Sequence, residues 1–422
     1  MKNPRTALVV PIGIALALTG CTENNPSTAS GASGTTNIDV SSTDTECTLS
    51  VAETQSGNTT FNVSNNGGRT TEFYLLANDK LRIVSELENI APGQTASLSV
   101  SLQPGDYFTA CKPGMRGANV GLAEFTVTGD PIELSADDKE LFDQVVTDYT
   151  NFVKNEVSEL VPKVEEFAQA YKDGDDDKAR ELYANVRVHY ERIEPVAEAL
   201  GILDPRIDYR EIDYLAEADE LKADDPTFTQ WLGFHRIEKD LWAPAKDKLQ
   251  PDGTSAWDGW QESTPEERAV IADTLAADVN ALYDEVHSDT FIEDSKMDIA
   301  TVANGSSGLL EEIAVTKVTG EENWWSHYDL WDFKANLEGA RIAFDLVKPI
   351  AEAKGEEGKA LVAEIEKEFD RTEELLSEYG SLEDGYTLYD QVTEEQRREL
   401  AQQVDALREP LSKLTNVVLG IE

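Results

Sequence analysis

The hydrophobic pattern divides the chain into a part with period two and a helical part. Between about Glu46 and Thr128, short apolar–polar alternations are separated by turn signals such as Asn66-Gly67-Gly68. Seven runs show the alternation: CTLSVAE, TTFNVSN, TEFYLLA, KLRIVSE, ASLSVSL, GDYFTAC and AEFTVTG. Short strands at such near-regular spacing predict a small β-sandwich over residues 43–130.

After this region the apolar spacing becomes helical and stays so to the C-terminus. Capping boxes, in which a threonine is followed three residues later by Glu or Gln, begin at Thr264 and at Thr393. The pattern predicts an all-α domain over residues 134–422, built as one large bundle or two fused bundles. The expected fold class is therefore multidomain, a β-sandwich followed by a helical bundle.

The N-terminus is typical of an exported protein. Lys2 and Arg5 precede an apolar run that is too short to span a bilayer as a stable helix. The run ends in LTGC, which resembles the lipobox of bacterial lipoproteins, so we expect residues 1–21 to be a signal segment and Cys21 to carry a lipid anchor. Residues 22–42, rich in Ser, Thr and Gly, are expected to be a flexible tether on the outer face of the cytoplasmic membrane. An ordinary secretory signal is the alternative.

The charge of the chain is extreme. It has 82 acidic and 36 basic residues, a formal net charge of −46. Such a surface repels nucleic acid and anionic lipid head groups, and it attracts cations. The composition argues against a nucleic-acid partner and gives general support to a cation-handling protein, although solubility or a salty environment explains the same charge.

Two pairs of side chains have the spacing of metal ligands on a helix. WLGFHRIEKDLW places His235 and Glu238 three residues apart, and VHYERIEPVAE does the same for Glu191 and Glu194. Side chains at i and i+3 share a helix face, where they can bind one ion or form an ordinary surface pair. Pro195 frees the backbone carbonyl of Glu191 at a cost of about 3 kcal/mol, and a kink beside two carboxylates favours a functional site.

Further carboxylates follow in less regular segments. Asp208 lies in a loop or helix entry, and Glu321 and Glu322 follow Gly320 directly before two tryptophans. The chain has four histidines and contains no glycine-rich phosphate loop, no G-x-S-x-G and no H-E-x-x-H. A zinc site of several histidines is therefore not expected. Carboxylates with one imidazole suit iron, manganese or calcium.

Several motifs carry a family resemblance. GFHRIEKDLW resembles the H-x-x-E signature of the imelysin-like domain, classified as peptidase family M75. RVHYERIEP, KVTGEE and SHYDLWDFKANLEGA resemble its EfeO branch, and ELENIAPG and LQPGDYFTAC resemble the N-terminal cupredoxin-like domain of that branch. The resemblance implies a non-enzymatic, extracytoplasmic iron-binding lipoprotein of an EfeUOB-type uptake system. Its implied partners are an EfeU-type iron permease and an EfeB-type haem peroxidase.

The resemblance also implies the residues of an iron site, for ferrous or ferric iron. Carried to matching positions, these are Glu191, Glu194, Asp208, His235, Glu238 and Glu322. The sequence leaves open whether all six meet at one ion or form two neighbouring sites. Two other functions remain as alternatives: a metal-dependent peptidase or hydrolase that uses the H-x-x-E cleft, and a protein that binds an extracellular polysaccharide through bridging cations.

The β-region contains two cysteines, Cys47 and Cys111. In an oxidising compartment two cysteines predict a disulfide, with a metal site as the alternative. Residues 43–130 contain no histidine, so an ordinary type 1 copper centre, which needs two, is excluded. The resemblance keeps open a variant site in which the cysteines join Glu72 or another nearby carboxylate, with copper or zinc as a second metal and a weak ferroxidase role.

Overall fold

The structure, a computed structural model, describes residues 36–76, 80, 83–115, 119–130, 136–194, 196 and 201–420. The predicted signal segment with Cys21, most of the predicted tether and Pro195 lie outside the described residues. The described residues form one compact unit. Of the helices that are described, none is long and apolar enough to cross a bilayer.

The N-terminal part is a β-sandwich of two sheets. Its strands are β1 (Thr36–Ser42), β2 (Cys47–Leu49), β3 (Glu53–Gln55), β4 (Gly57–Asn65), β5 (Thr71–Leu76), β6 (Ile83–Ile90), β7 (Thr95–Leu102), β8 (Gly105–Pro113) and β9 (Val120–Thr128). One sheet has the order β2-β1-β4-β7 and the other β3-β9-β8-β5-β6. Alternate apolar side chains of both sheets meet in one core, where Phe61 packs on Phe73 and Phe125 from the opposite sheet.

Strand β1 places the start of the sandwich earlier than the predicted boundary at residue 43. The predicted tether extends to residue 42, but residues 36–42 pair in parallel with β4 along the whole of β1. Ile38 and Val40 are buried in the sandwich core. Because only these two apolar residues alternate with polar ones, the Ser/Thr-rich composition hides a strand whose hydrogen bonds come from a distant partner.

The two sheets are joined covalently. Cys47 of β2 and Cys111 of β8 form a disulfide, with Cα atoms 5.5 Å apart. Of the two arrangements expected for these cysteines, the structure has the disulfide. Gly121 makes room for it, since its φ is +64° and a Cβ there would lie 2.6 Å from the Cβ of Cys47.

The C-terminal part is helical around one apolar core. Its helices are α1 (Ala136–Asp173), α2 (Asp176–Glu191), α3 (Leu203–Asp208), α4 (Glu211–Asp224), α5 (Phe234–Leu241), α6 (Pro265–Val286), α7 (Phe291–Asp294), α8 (Ile299–Glu312), α9 (Asp329–Ala353), α10 (Glu356–Ser377), α11 (Glu394–Leu411) and α12 (Leu414–Leu419). Ile313–Lys317 forms a π-helical turn, β10 (Gly380–Ser381) pairs with β11 (Gly385–Tyr386), and Tyr389–Gln391 is a 3-10 turn.

Two predicted helix starts are confirmed. Thr264 and Glu267 form a reciprocal capping box at the start of α6, and Thr393 and Gln396 do the same for α11. Each threonine side chain accepts a backbone N–H that the helix itself leaves unpaired, a contribution of about 1 kcal/mol. Local sequence therefore sets these two boundaries.

The sandwich packs on the helices through polar contacts. Asn304 of α8 donates to the backbone carbonyl of Ser99 in β7 at 3.0 Å. Lys112 of β8 pairs with Glu217 of α4 at 2.7 Å. We call the charged group around this pair the junction cluster; it consists of Glu72, Tyr74, Lys112, Tyr209 and Glu217.

Candidate metal centre

Helices α2, α3, α5, α8 and α9 converge with the turn after α2, the π turn and the loop after the π turn on a largely buried charged group. We call it the central cluster. Its members are Arg187, Glu191, Glu194, Asp208, His235, Glu238, Glu312, Lys317, Glu322, Asp332 and Asn336. It contains all six predicted site residues, and the remaining five were missed by sequence reasoning.

The close approach of α5 to α3 depends on one glycine of the GFHRIEK motif. Gly233 precedes α5 with φ +87°, and a Cβ there would lie 2.2 Å from the carbonyl oxygen of Ile207. A side chain at this position would push the two helices apart. Because the glycine lets them touch, His235 Nε2 lies 3.6 Å from Asp208 Oδ1.

His235 presents one nitrogen to the cluster and the other to Glu238. Its Nδ1 lies 3.0 Å from Glu238 Oε2, and its Nε2 lies 3.2 Å from Glu322 Oε1. The second oxygen of Glu238 accepts the backbone N–H groups of Trp325, at 3.1 Å, and Ser326, at 2.8 Å. Glu238 thus lies behind the imidazole and fixes its orientation, as carboxylates commonly do for metal-binding histidines.

The pair Glu191 and Glu194 is buried, so it is not an ordinary surface pair. The backbone carbonyl of Glu191, which the sequence predicts to be freed by Pro195, accepts a hydrogen bond from Asn336 Nδ2 at 2.8 Å. The same amide group lies 2.8 Å from Glu194 Oε2 and 3.2 Å from Glu191 Oε2. Asn336 of α9 therefore supplies a hydrogen-bond donor to the backbone carbonyl at the end of α2, and the same amide group aligns the carboxylates of Glu191 and Glu194.

Ligand atoms of the cluster lie close enough to share an ion. Within each of three overlapping groups they are all within 4.8 Å of one another: Asp208, His235 and Glu322; Glu191, Glu322 and Asp332; and Glu191, Glu194 and Asp208. Five of the six predicted residues are in these groups, and among the described residues Asp332 joins them. Because the three groups share Glu191, Asp208 and Glu322, the arrangement is better suited to neighbouring ion positions with shared carboxylates than to one ion with six ligands.

Arg187 is the first of two buried cations among these carboxylates. Its guanidinium pairs with Glu191 and Asp208 and lies 3.1 Å from Asp332 and 3.2 Å from Glu322. Arg187 stands four residues before Glu191 on α2, a spacing that predicts an ion pair. The RVHYE motif carries this signal.

Lys317 is the second cation, at the end of the π turn. Its Nζ lies 3.3 Å from Glu194 and from Glu312, 3.5 Å from Glu191 and 3.7 Å from Glu322. Sequence spacing carries no signal for the contacts with Glu191 and Glu194, because both lie on a distant segment of the chain. The lysine is part of the KVTGEE motif, five residues before the predicted ligand Glu322.

Three buried oxygens of α9 lack a hydrogen-bond donor among the described residues. They are Asp329 Oδ2, Asp332 Oδ1 and Asn336 Oδ1. Buried acceptors in native proteins nearly always have a donor, a water or a cation, since an unpaired one costs about 1–3 kcal/mol. Such oxygens are also the ligands that hard cations prefer.

Burial and neighbouring charges shift the pKa values of the carboxylates of the central cluster in different directions. Burial, together with the charge of Asp332, raises the pKa of Glu191 well above its ordinary value. Burial and the Glu191 charge do the same to the pKa of Glu194. Burial also disfavours the charged form of Glu322, but Lys317, His235 and Arg210 together outweigh it and hold the pKa of Glu322 well below its ordinary value.

The imidazole of His235 holds its proton more strongly than an ordinary histidine does. Burial and the neighbouring Arg187 charge favour neutral His235, but Asp208 and the hydrogen bonds to Glu238 and Glu322 outweigh them and raise its pKa to about 10. The cluster therefore binds positive charge strongly at its imidazole end. Carboxylate oxygens, an amide oxygen and one imidazole fit a hard or borderline cation such as iron, which would replace guanidinium or ammonium contacts.

Comparison with known proteins gives the family. A profile of imelysin, Peptidase M75, matches residues 145–414. The chain is 35% identical over 387 residues, 91% of its length and 92% of the relative's, to an Escherichia coli O157:H7 protein named iron uptake system component EfeO. A Shigella flexneri protein of the same name is 34% identical over the same shares. A solved putative iron-regulated protein A precursor from Parabacteroides distasonis covers 69% of this chain and 95% of its own, with 16% identity and a TM-score of 0.41.

The chain belongs to the imelysin family, because the profile covers most of its length. The EfeO relatives match the β-sandwich as well as the helices, so within the family it is of the EfeO type. The predicted family and the predicted fold class are both confirmed.

Proposed function

We propose that this protein is a non-enzymatic iron-binding component of an iron uptake system. It captures ferrous or ferric iron outside the cytoplasm in the central cluster and delivers it to an EfeU-type permease. The observation that carries the proposal is the convergence of Asp208, His235 and Glu322, whose ligand atoms lie within 4.8 Å of one another. The similarity to proteins named iron uptake system component EfeO supports iron as the cargo.

The positions of the carboxylates favour binding over hydrolysis. A metallohydrolase needs an open coordination position and a base beside it. Glu238, the base that an H-x-x-E cleft would offer, is engaged by His235 and by the backbone N–H groups of Trp325 and Ser326. It orients a ligand and is not placed to activate water.

The proposal includes the setting that the sequence indicates. The chain is exported, carries a lipid on Cys21 and works on the outer face of the cytoplasmic membrane beside an EfeB-type haem peroxidase. We assign the β-sandwich no copper or zinc, because the disulfide uses both Cys47 and Cys111. Its role is then structural, as a platform on which the helices pack.

The test is Fe²⁺ binding under anaerobic conditions, measured by calorimetry on the chain without residues 1–21. Asp208→Asn/Glu322→Gln removes two ligand charges without changing side-chain size. We expect it to weaken binding by more than about 100-fold, since loss even of supporting residues costs 10–100-fold. The matched control, Glu72→Gln/Glu217→Gln, changes two buried carboxylates of the junction cluster and leaves binding unchanged. Undiminished Fe²⁺ binding by the folded central variant would contradict the proposal.

A further inference from the structure

The ammonium group of Lys317 has the surroundings of a bound cation. It is fully buried, and carboxylates of Glu191, Glu194, Glu312 and Glu322 lie within 3.7 Å of its Nζ. An ammonium group has three hydrogens to donate, so four carboxylates exceed its capacity. Oxygen atoms of several carboxylates around one positive centre are also how proteins hold hard metal ions.

A local irregularity of the backbone places this lysine. The N–H of Val318 donates to the carbonyl of Ile313, five residues back, at 2.9 Å. A π turn of this kind adds one residue to a helix and occurs frequently at functional sites. Here it follows α8 directly, so that Glu312, the last residue of α8, and Lys317 face each other across the turn at 3.3 Å.

The two buried cations of the central cluster are held differently. The guanidinium of Arg187 is planar, pairs with carboxylates on α2, α3 and α9, and lies 5.8 Å from the ring of Tyr183 and 5.6 Å from that of Phe234. Lys317 is a compact charge on a flexible stem, with contacts of 3.3–3.7 Å. Of the two, Lys317 is the one that can withdraw without dismantling the helix packing.

We propose that Lys317 is a resident counter-ion that occupies a cation position among Glu191, Glu194, Glu312 and Glu322 and is displaced when the cargo ion enters. The inference rests on the proposed function and adds Glu312 to the site. Because the ammonium competes for the same carboxylates, the protein binds its cargo less tightly than those carboxylates alone would. Its return to the carboxylates favours release, which a delivery protein requires.

The test is anaerobic Fe²⁺ titration of the full mature chain with Lys317→Met, which keeps the length of the side chain and removes its charge. Removing a competing charge from a buried site is expected to tighten Fe²⁺ binding by at least about tenfold. Lys317→Arg restores a positive charge and is expected to bind more weakly than Lys317→Met. Lys112→Met, the same chemical change in the junction cluster, is the matched control and leaves the affinity at the wild-type value.

The outcomes separate this inference from the proposed function. If the wild type binds Fe²⁺ and folded Lys317→Met binds it no more tightly, the counter-ion role is wrong and the iron site stands. If the wild type binds no Fe²⁺ and Lys317→Met does, the counter-ion role stands and iron is not the natural cargo. If neither chain binds Fe²⁺, both proposals fail.

A second measurement covers the case in which Lys317→Met does not fold. Wild-type protein is treated with an amine-acetylating reagent with and without Fe²⁺, and acetylation of Lys317 is followed by mass spectrometry. An ammonium group released from its carboxylates is expected to react several-fold faster, since ion pairing holds lysine in its unreactive protonated form. Equal rates with and without Fe²⁺ would overturn the inference, with Lys112 as the internal control.

Discussion

The central cluster and the junction cluster both bury a lysine among carboxylates, but their charges are balanced differently. Among the described residues, Lys112 of the junction cluster has one ion-pair partner, Glu217 at 2.7 Å, and the Tyr209 hydroxyl donates to the same carboxylate at 3.1 Å. In the central cluster six described carboxylates share Arg187 and Lys317; they are Glu191, Glu194, Asp208, Glu312, Glu322 and Asp332.

The second carboxylate of the junction cluster adds little charge. Burial raises the pKa of Glu72 to about 8, although Lys112 opposes the shift, and the Tyr74 hydroxyl lies within hydrogen-bond distance of it. At neutral pH the junction is therefore one ion pair with neutral neighbours. Buried charges by themselves do not mark a binding site, because many serve packing. The central cluster differs in having several ligand atoms within reach of one ion and buried acceptor oxygens without a donor among the described residues.

The largest effect is expected from Arg187→Met. Four carboxylates would lose their guanidinium in a buried setting, and breaking a buried ion pair from one side costs about 3–5 kcal/mol. The free energy of unfolding, from urea denaturation without added metal, is expected to fall by about 4 kcal/mol. A loss below about 1 kcal/mol would show that the carboxylates are neutral or relax into water, and the contrast between the clusters would then disappear.

Binding of Fe²⁺ is expected to stabilise the folded protein through the central cluster and not through the junction cluster. With Fe²⁺ at about 100 times its dissociation constant, linkage predicts a gain of about 2.7 kcal/mol in the free energy of unfolding, which a chelator should remove. Anaerobic thermal denaturation measures this gain. Asp208→Asn/Glu322→Gln should abolish it and Glu72→Gln/Glu217→Gln should retain it; equal gains in both variants would place the ion elsewhere.

Lys112→Met breaks the balanced pair of the junction cluster. Glu217 would keep the Tyr209 hydroxyl but lose its charged partner, at a cost of about 2 kcal/mol. The loss should be the same with and without Fe²⁺, since neither residue of the pair is a proposed ligand of the cargo. Urea denaturation in both conditions measures it, and a loss that Fe²⁺ reverses would mean that the two clusters are coupled.

The smallest effect concerns pH. The pKa of Glu72 is about 8 in the folded protein against an ordinary 4.5, so the unfolded chain loses this proton first as the pH rises. The stability contributed by protonated Glu72 is complete below about pH 4.5 and is lost on the way to about pH 8. Between pH 6 and 7 the wild type should therefore lose up to about 1 kcal/mol more than Glu72→Gln. Parallel pH profiles would show that Glu72 is charged in the folded state.

Much of the fold could be read from local patterns. Alternation predicts most strands after β1, although the run CTLSVAE divides into β2 and the start of β3, which lie in different sheets. Helical spacing predicts the bundle, and both capping boxes lie where Thr264 and Thr393 place them. Strand β1 was not predicted, because two apolar residues among polar ones are too few to establish an alternating pattern. Its register is set by pairing with β4. A strand with a strong apolar–polar alternation can be predicted from its own sequence. A strand with a weak alternation is defined only by the strand with which it pairs.

The sequence by itself determined the donor types, the helix face that His235 and Glu238 share, and a family resemblance that the comparisons confirm. Only the tertiary structure decided which of these groups meet and what neutralises them. Arg187 and Asp332, 145 residues apart in the chain, touch because α2 packs on α9. Spacing along a chain reports which side chains share a face, whereas burial, pairing and excess charge depend on which faces are packed together.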